Sequence, residues 1–361
     1  MKAGESNDTR PVGIWLLALC GMLLALILLG GATRLTESGL SIVDWQPVTG
    51  ILPPIGEAAW LREFEAYRQS PQYRLVNAGM SLADFRFIYW LEYGHRLLAR
   101  SLGLAFVVPL ILFWRRGLIG ERLRRPLIVL LLLGAAQGYM GWFMVKSGLV
   151  DIPRVSPYRL AAHLGLALVI FSLMLRLAMD ILWPARRRTH VPSALSLWSK
   201  ALITGIATTI LAGAFVAGLR AGYVYNDFPL MGGHWIPEGL LGLEPLWRNF
   251  FENPATVQFL HRYLGLGTAI VALAGPLAAQ RMATDKRTRL AIQAVAAVAV
   301  LQAGLGIATL VSYVPLSLAV SHQGCAVVLL AAALAAHFLI HHQPVTGTAR
   351  STAGQLPAAA G

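Results

Sequence analysis

The segment from Trp90 to Arg100, WLEYGHRLLAR, sets Glu92 three residues before His95 inside an otherwise apolar run. That spacing puts the carboxyl and the imidazole on one helix face. Ionisable groups at membrane depth are costly, so they pair with something or line a site. A carboxyl in an apolar pocket can act as acid, base or nucleophile. The structural alternative is an ion pair from Glu92 to Arg96 or Arg100.

Of nine histidines, four fall well inside apolar runs: His95, His163, His261 and His322. Counted from the expected outer end of its run, each lies about 10–16 Å deep at 1.5 Å per residue. A single intramembrane histidine often just bonds a neighbouring helix. Four at matched depth, two per half of the chain, instead suit a pair of axial sites for haem iron in a helical bundle. Zinc fits less well, because no cysteine or carboxylate cluster completes a tetrahedral set. His337 lies 15 residues after His322 but finds no partner at that inner depth. His337, His341 and His342 are therefore expected near the inner surface, and His190 and His234 in solvent. Both haem sites then lie side by side near the outer face, which does not suit electron transfer across the membrane.

The halves differ at one position. Gln258 precedes His261 as Glu92 precedes His95, so only one pocket has a carboxyl. Arg96 and Arg262 directly follow their histidines. They suit bidentate contact with haem propionates; snorkelling or pairing with a carboxyl is the alternative.

Eight apolar spans must position these groups, near residues 13–32, 87–114, 126–145, 158–183, 201–219, 256–280, 289–312 and 316–340. With 56% hydrophobic and 13% charged residues, this is an all-α, multi-pass membrane protein. The first span has no cleavage signature and reads as retained. Cys20 and Cys325 lie inside spans and read as small buried hydrophobes. The net charge of +13 is concentrated in short loops, including Arg122–Arg125, Arg186–Arg188 and Lys286–Arg289. That distribution follows the positive-inside rule and suits lipid contact, not nucleic acid. It places both termini in the cytoplasm.

Similar stretches recur at offsets of 166 (His95 to His261), 165 (Gln137 to Gln302) and 159 residues (His163 to His322). Two repeated four-helix bundles are expected, related by a pseudo-two-fold axis along the membrane normal. The implied organisation is a cytoplasmic N-terminus (1–12), an N-terminal half (13–183), a basic linker (184–200), a C-terminal half (201–342) and a disordered tail (343–361). The outer loops carry Trp45, Trp60, Phe228 and Trp235, either as a lid over the pockets or as an interfacial aromatic belt.

GGATRLTESGLSIVDWQPVTGILPP, EYGHR, YNDFPLM and QFLHRYLG together resemble the signatures of the haem A synthase family, over about residues 12–342. The likeness is to the alphaproteobacterial and mitochondrial branch. It implies oxidation of the C8 methyl of haem O to a formyl group in two steps, with oxygen from water. It implies a haem b cofactor on His261 and His322, substrate haem at His95 and His163, and a functional glutamate at Glu92. It also implies an inner-membrane location and contact with the haem O synthase, a farnesyltransferase. The cysteine pair found in the outer loops of some members is absent here. No nucleotide, flavin or iron–sulfur motif identifies the electron acceptor, and homo-oligomerisation is left open. The main rival is a di-haem cytochrome that only carries electrons; it calls for two equivalent pockets. A transporter would call for helices broken near the histidines.

Overall fold

The computed structural model describes residues 8–43, 49–148, 155–183, 185–188, 190–282 and 284–344. Among the described residues, eleven α-helices run in the order α1 (Arg10–Leu35), α2 (Glu57–Arg68), α3 (Pro71–Leu75), α4 (Leu82–Arg115), α5 (Glu121–Gly148), α6 (Pro157–Leu182), α7 (Ser193–Leu219), α8 (Asn249–Glu252), α9 (Pro254–Gln280), α10 (Lys286–Val311) and α11 (Leu316–His341). All but α2, α3 and α8 are long and apolar enough to cross a bilayer, so the chain is a multi-pass membrane protein.

Local sequence starts these helices. Ser81 and Asp84 form a capping box at the start of α4. Asn253 caps α9 by accepting from the amides of Ala255 and Thr256, with Pro254 at the first helical position. Because of the capping box, α4 begins five residues before the span expected at 87–114. Its outer end then packs with α2 in an aromatic cluster of Trp60, Tyr67, Phe85, Tyr89 and Tyr93. Trp60 is therefore a core residue of this outer layer, whereas Trp235 is exposed. Trp45 lies outside the described residues.

α1, α6, α7 and α11 form the centre of the molecule, each touching its neighbours in that ring. α4 packs on α1, α5 on α6, α9 on α7, and α10 on α11. This arrangement is compatible with a repeat of four-helix units. The two sides differ in one respect: α9 and α10 pack extensively, whereas α4 and α5 meet at only a few points. Cross-links join the halves. The Arg34 guanidinium donates to the carbonyls of Ala217 (3.0 Å) and Gly218 (3.1 Å), and Arg220 pairs with Glu37. The Gln323 amide donates to the Ile27 carbonyl at 2.9 Å across a close approach at Gly31.

Between the end of α6 and the end of α11, two short strands, β1 (Ala185–Arg187) and β2 (His342–Pro344), pair antiparallel. The basic linker and the residues directly after α11 thus pair with each other; residues 345–361 lie outside the described residues. Arg188 donates to the His342 carbonyl at 3.2 Å and pairs with Asp285, the N-cap of α10. Burial opposes the Asp285 charge, but hydrogen bonds from Thr288 and Arg188 outweigh it and hold its pKa down at about 2. His337 and His341 bond the hydroxyls of Ser199 (2.9 Å) and Ser196 (3.1 Å) on α7. His342, the first residue of β2, is buried: its ring stacks on Phe338 with the Arg176 guanidinium beside it. His190 and His234 are exposed, as expected. Cys20 is buried and Cys325 partly buried, both as free thiols.

Candidate functional site

Glu92 is 2% exposed. Its Oε2 accepts from the Ser41 hydroxyl (2.7 Å) and the Ile42 amide (2.9 Å), and its Oε1 from the Arg96 guanidinium (2.6 Å). All three partners donate, which suits a carboxylate, and a carboxylate has about four lone-pair positions to offer. Arg96 also donates to the Ile42 carbonyl at 3.1 Å. The i, i+4 pair Glu92–Arg96 thus fastens the segment after α1 onto α4. Of the roles open to Arg96, the ion pair with Glu92 is the one formed. The Ser41 and Ile42 contacts were not foreseen, since nothing in the sequence marks which loop residues fold back to residue 92.

The second half repeats the arrangement without the charge. The Gln258 amide donates to the Tyr225 carbonyl at 2.8 Å. Arg262 donates to the carbonyls of Tyr225 (2.7 Å), Asp227 (2.9 Å) and Leu230 (2.9 Å). The outer segment after α7 is thereby fastened to α9. Outside the membrane, hydrogen bonds from the Gly233 and Gly232 amides hold the Asp227 carboxyl below the usual carboxylate range. Gln258 Oε1 is buried without a hydrogen-bond partner among the described residues.

The four histidines also follow a pattern. Each ring lies against a glycine of the preceding span: His95 on Gly30, His163 on Gly141, His261 on Gly213 and His322 on Gly306. A Cβ at any of these glycines would stand 2.8–3.2 Å from the ring, so a larger residue would displace it. The glycine pair 141 and 306 was visible within the sequence repeat, but its role as a ring seat was not.

His261 and His322 face each other, with ring centroids 6.3 Å apart and planes at 89°. Two metal–nitrogen bonds of about 2 Å, plus roughly 1 Å from each nitrogen to its ring centre, give a separation of about 6 Å, so the pair fits one shared iron. His261 Nδ1 lies 3.1 Å from the Thr209 carbonyl, which fixes the tautomer and leaves Nε2 as the ligating nitrogen. His322 Nδ1 is buried beside the Gln302 backbone. These residues fit a bis-imidazole haem. In the first half, His95 on α4 seats against α1 and His163 on α6 seats against α5.

The family model COX15-CtaA, described as cytochrome oxidase assembly protein, matches residues 13–334. "Heme A synthase" of Rhodospirillum centenum is 47% identical over 328 residues, 89% of this chain and 86% of the relative. "Heme A synthase COX15" of Bos taurus is 45% identical over 333 residues, 90% of this chain and 81% of the relative. The human protein of the same name is 43% identical over 333 residues, with the same coverage. The match reaches into all eight spans and includes Glu92 and the four histidines, and the chain therefore belongs to the COX15-CtaA family of cytochrome oxidase assembly proteins.

Proposed function

We propose that the protein is a haem A synthase of the inner membrane, with both termini in the cytoplasm, which oxidises the C8 methyl of haem O to a formyl group. The observation that carries the reading is the replacement of one residue within a shared scaffold: Glu92–Arg96 in one half, Gln258–Arg262 in the other. Similarity to relatives named "Heme A synthase" supports it. His95 and His163 hold the substrate, His261 and His322 hold haem b, and the bound haem b supplies one-electron chemistry between the substrate and an external acceptor.

Two imidazoles on the substrate iron leave it no open position for dioxygen. That favours loss of two electrons to the external acceptor and of a C–H proton from the ring methyl, followed by attack of water on the electron-poor carbon. Glu92 then accepts the proton released as the new carbon–oxygen bond forms, or traps the electron-poor carbon itself. Ser41, Ile42 and Arg96 keep its carboxylate in place and limit its motion. Propionate contact is a second role for Arg96 and Arg262, which already fasten the outer segments. The haem O synthase is the proposed donor of substrate.

Expression with and without a haem O-forming enzyme, followed by haem extraction and mass analysis, tests the assignment. Haem A is expected only when haem O is supplied. Recovery of haem b alone in both cases would instead identify an electron carrier. The second site has its own test. In Gly306→Ala the new methyl stands 2.8 Å from His322 Cε1. The overpacking costs about 1–3 kcal/mol, and haem b per purified protein should fall; unchanged haem content would contradict the seat.

A further inference from the structure

The four ring seats are not equivalent. At Gly213 and Gly306 a Cβ would meet Cε1 first, at 2.9 and 2.8 Å, with both ring nitrogens farther away. At Gly30 it would meet His95 Nε2 first, at 3.1 Å, and then Cδ2 at 3.4 Å. Nε2 is thus the His95 ring atom nearest to the α1 surface at Gly30. His163 sits on Gly141 by Cε1, like the second-half rings, but its Nε2 lies 3.4 Å from the Gln137 side-chain amide. That amide also donates to the His163 carbonyl at 3.1 Å. An amide N–H can only donate, so it uses the lone pair on Nε2 that a metal would need. His163 Nδ1 is left buried with no hydrogen-bond partner among the described residues, as is His322 Nδ1; only His261 Nδ1 of the three has one, the Thr209 carbonyl.

We propose that the first-half imidazoles are exchangeable ligands, with His95 parked on Gly30 and His163 covered by Gln137, so that Gly30 and Gln137 are positioning residues that let the substrate haem leave. The proposal rests on the reading of the first half as the haem O site. When haem O enters, the Gln137 N–H···Nε2 contact breaks and an Fe–Nε2 bond forms; on release the two exchange back, with no change of oxidation state. In the second half the fixed His261 tautomer favours retention. A substrate must depart after each turnover and a cofactor must not, and the two sets of seats differ in that sense.

The test loads detergent-solubilised protein with haem O and follows its transfer to apomyoglobin by absorbance, with haem b quantified separately. Removing the competing donor in Gln137→Leu should slow haem O transfer about five- to tenfold, the worth of one hydrogen bond. It should also raise the low-spin, bis-imidazole fraction of bound haem O, with haem b unchanged. Gly30→Ala, which pushes the His95 ring off its parking position, should act in the same direction; Gln302→Leu should leave haem O transfer unaltered. Transfer at the wild-type rate or faster in both Gln137→Leu and Gly30→Ala, with haem b retained, would overturn the proposal alone. If wild-type protein holds no transferable haem O that His95→Ala abolishes, the assignment of the first half as substrate site fails, and this inference with it.

Discussion

Haem b content should fall by on the order of 10²-fold in affinity in His261→Ala, because loss of a ligand exceeds the 10–100-fold typical of losing a ligand's hydrogen-bond partner. His261 is held against Gly213 and the Thr209 carbonyl and faces His322 at 6.3 Å, so no other imidazole stands ready to replace it. The contrast with His95→Ala gives the experiment its force. That variant should keep haem b and lose substrate haem, since His95 seats at Gly30 of α1 whereas His261 and His322 seat at Gly213 and Gly306. Pyridine haemochrome spectra of both purified variants decide the matter. Equal loss of haem b from both would mean that the two sites are not independent.

Replacement of Glu92 by glutamine should slow haem A formation by about 10²- to 10⁴-fold, the usual contribution of a positioned acid or base. Haem O or its alcohol intermediate should accumulate. Folding should survive, and the protein's own second half is the reason. There Gln258 and Arg262 occupy the same i, i+4 relation and hold an outer segment through Tyr225, Asp227 and Leu230. A neutral amide beside the arginine is thus already tolerated in this scaffold. Cofactor content and thermal stability measured beside product analysis separate the two roles of Glu92. If it only tethers Ser41 and Ile42, the glutamine variant keeps most of its activity.

Much of this was legible in the sequence, for physical reasons that differ by element. The eight spans were readable because a bilayer leaves no alternative to long apolar helices. Their ends were less so: the capping box at Ser81 carries α4 past the apolar run, and polar capping residues leave no mark on hydropathy. The histidines stood out as costly residues recurring at fixed offsets, and the Glu92–Gln258 difference became visible once the repeat was recognised. The motif resemblance pointed to the family that the whole-chain match then established. What could not be read were contacts between residues far apart in the chain. Ser41 and Ile42 on Glu92, Thr209 on His261, and the glycine seats depend on how helices and outer segments pack. The pairing of β1 with β2 was hidden for the same reason, because three-residue strands carry no periodic signal.

The central claim is that the single buried carboxyl beside an imidazole pair acts on the substrate ring. The position of Glu92 in an experimental structure of the haem O-loaded protein tests it most directly. The Glu92 carboxylate should lie on the side of the ring methyl being oxidised, within about 3 Å of it or of one intervening water. A structure in which Glu92 stays bound to Ser41, Ile42 and Arg96 while the methyl edge lies beyond the reach of a single water would contradict it.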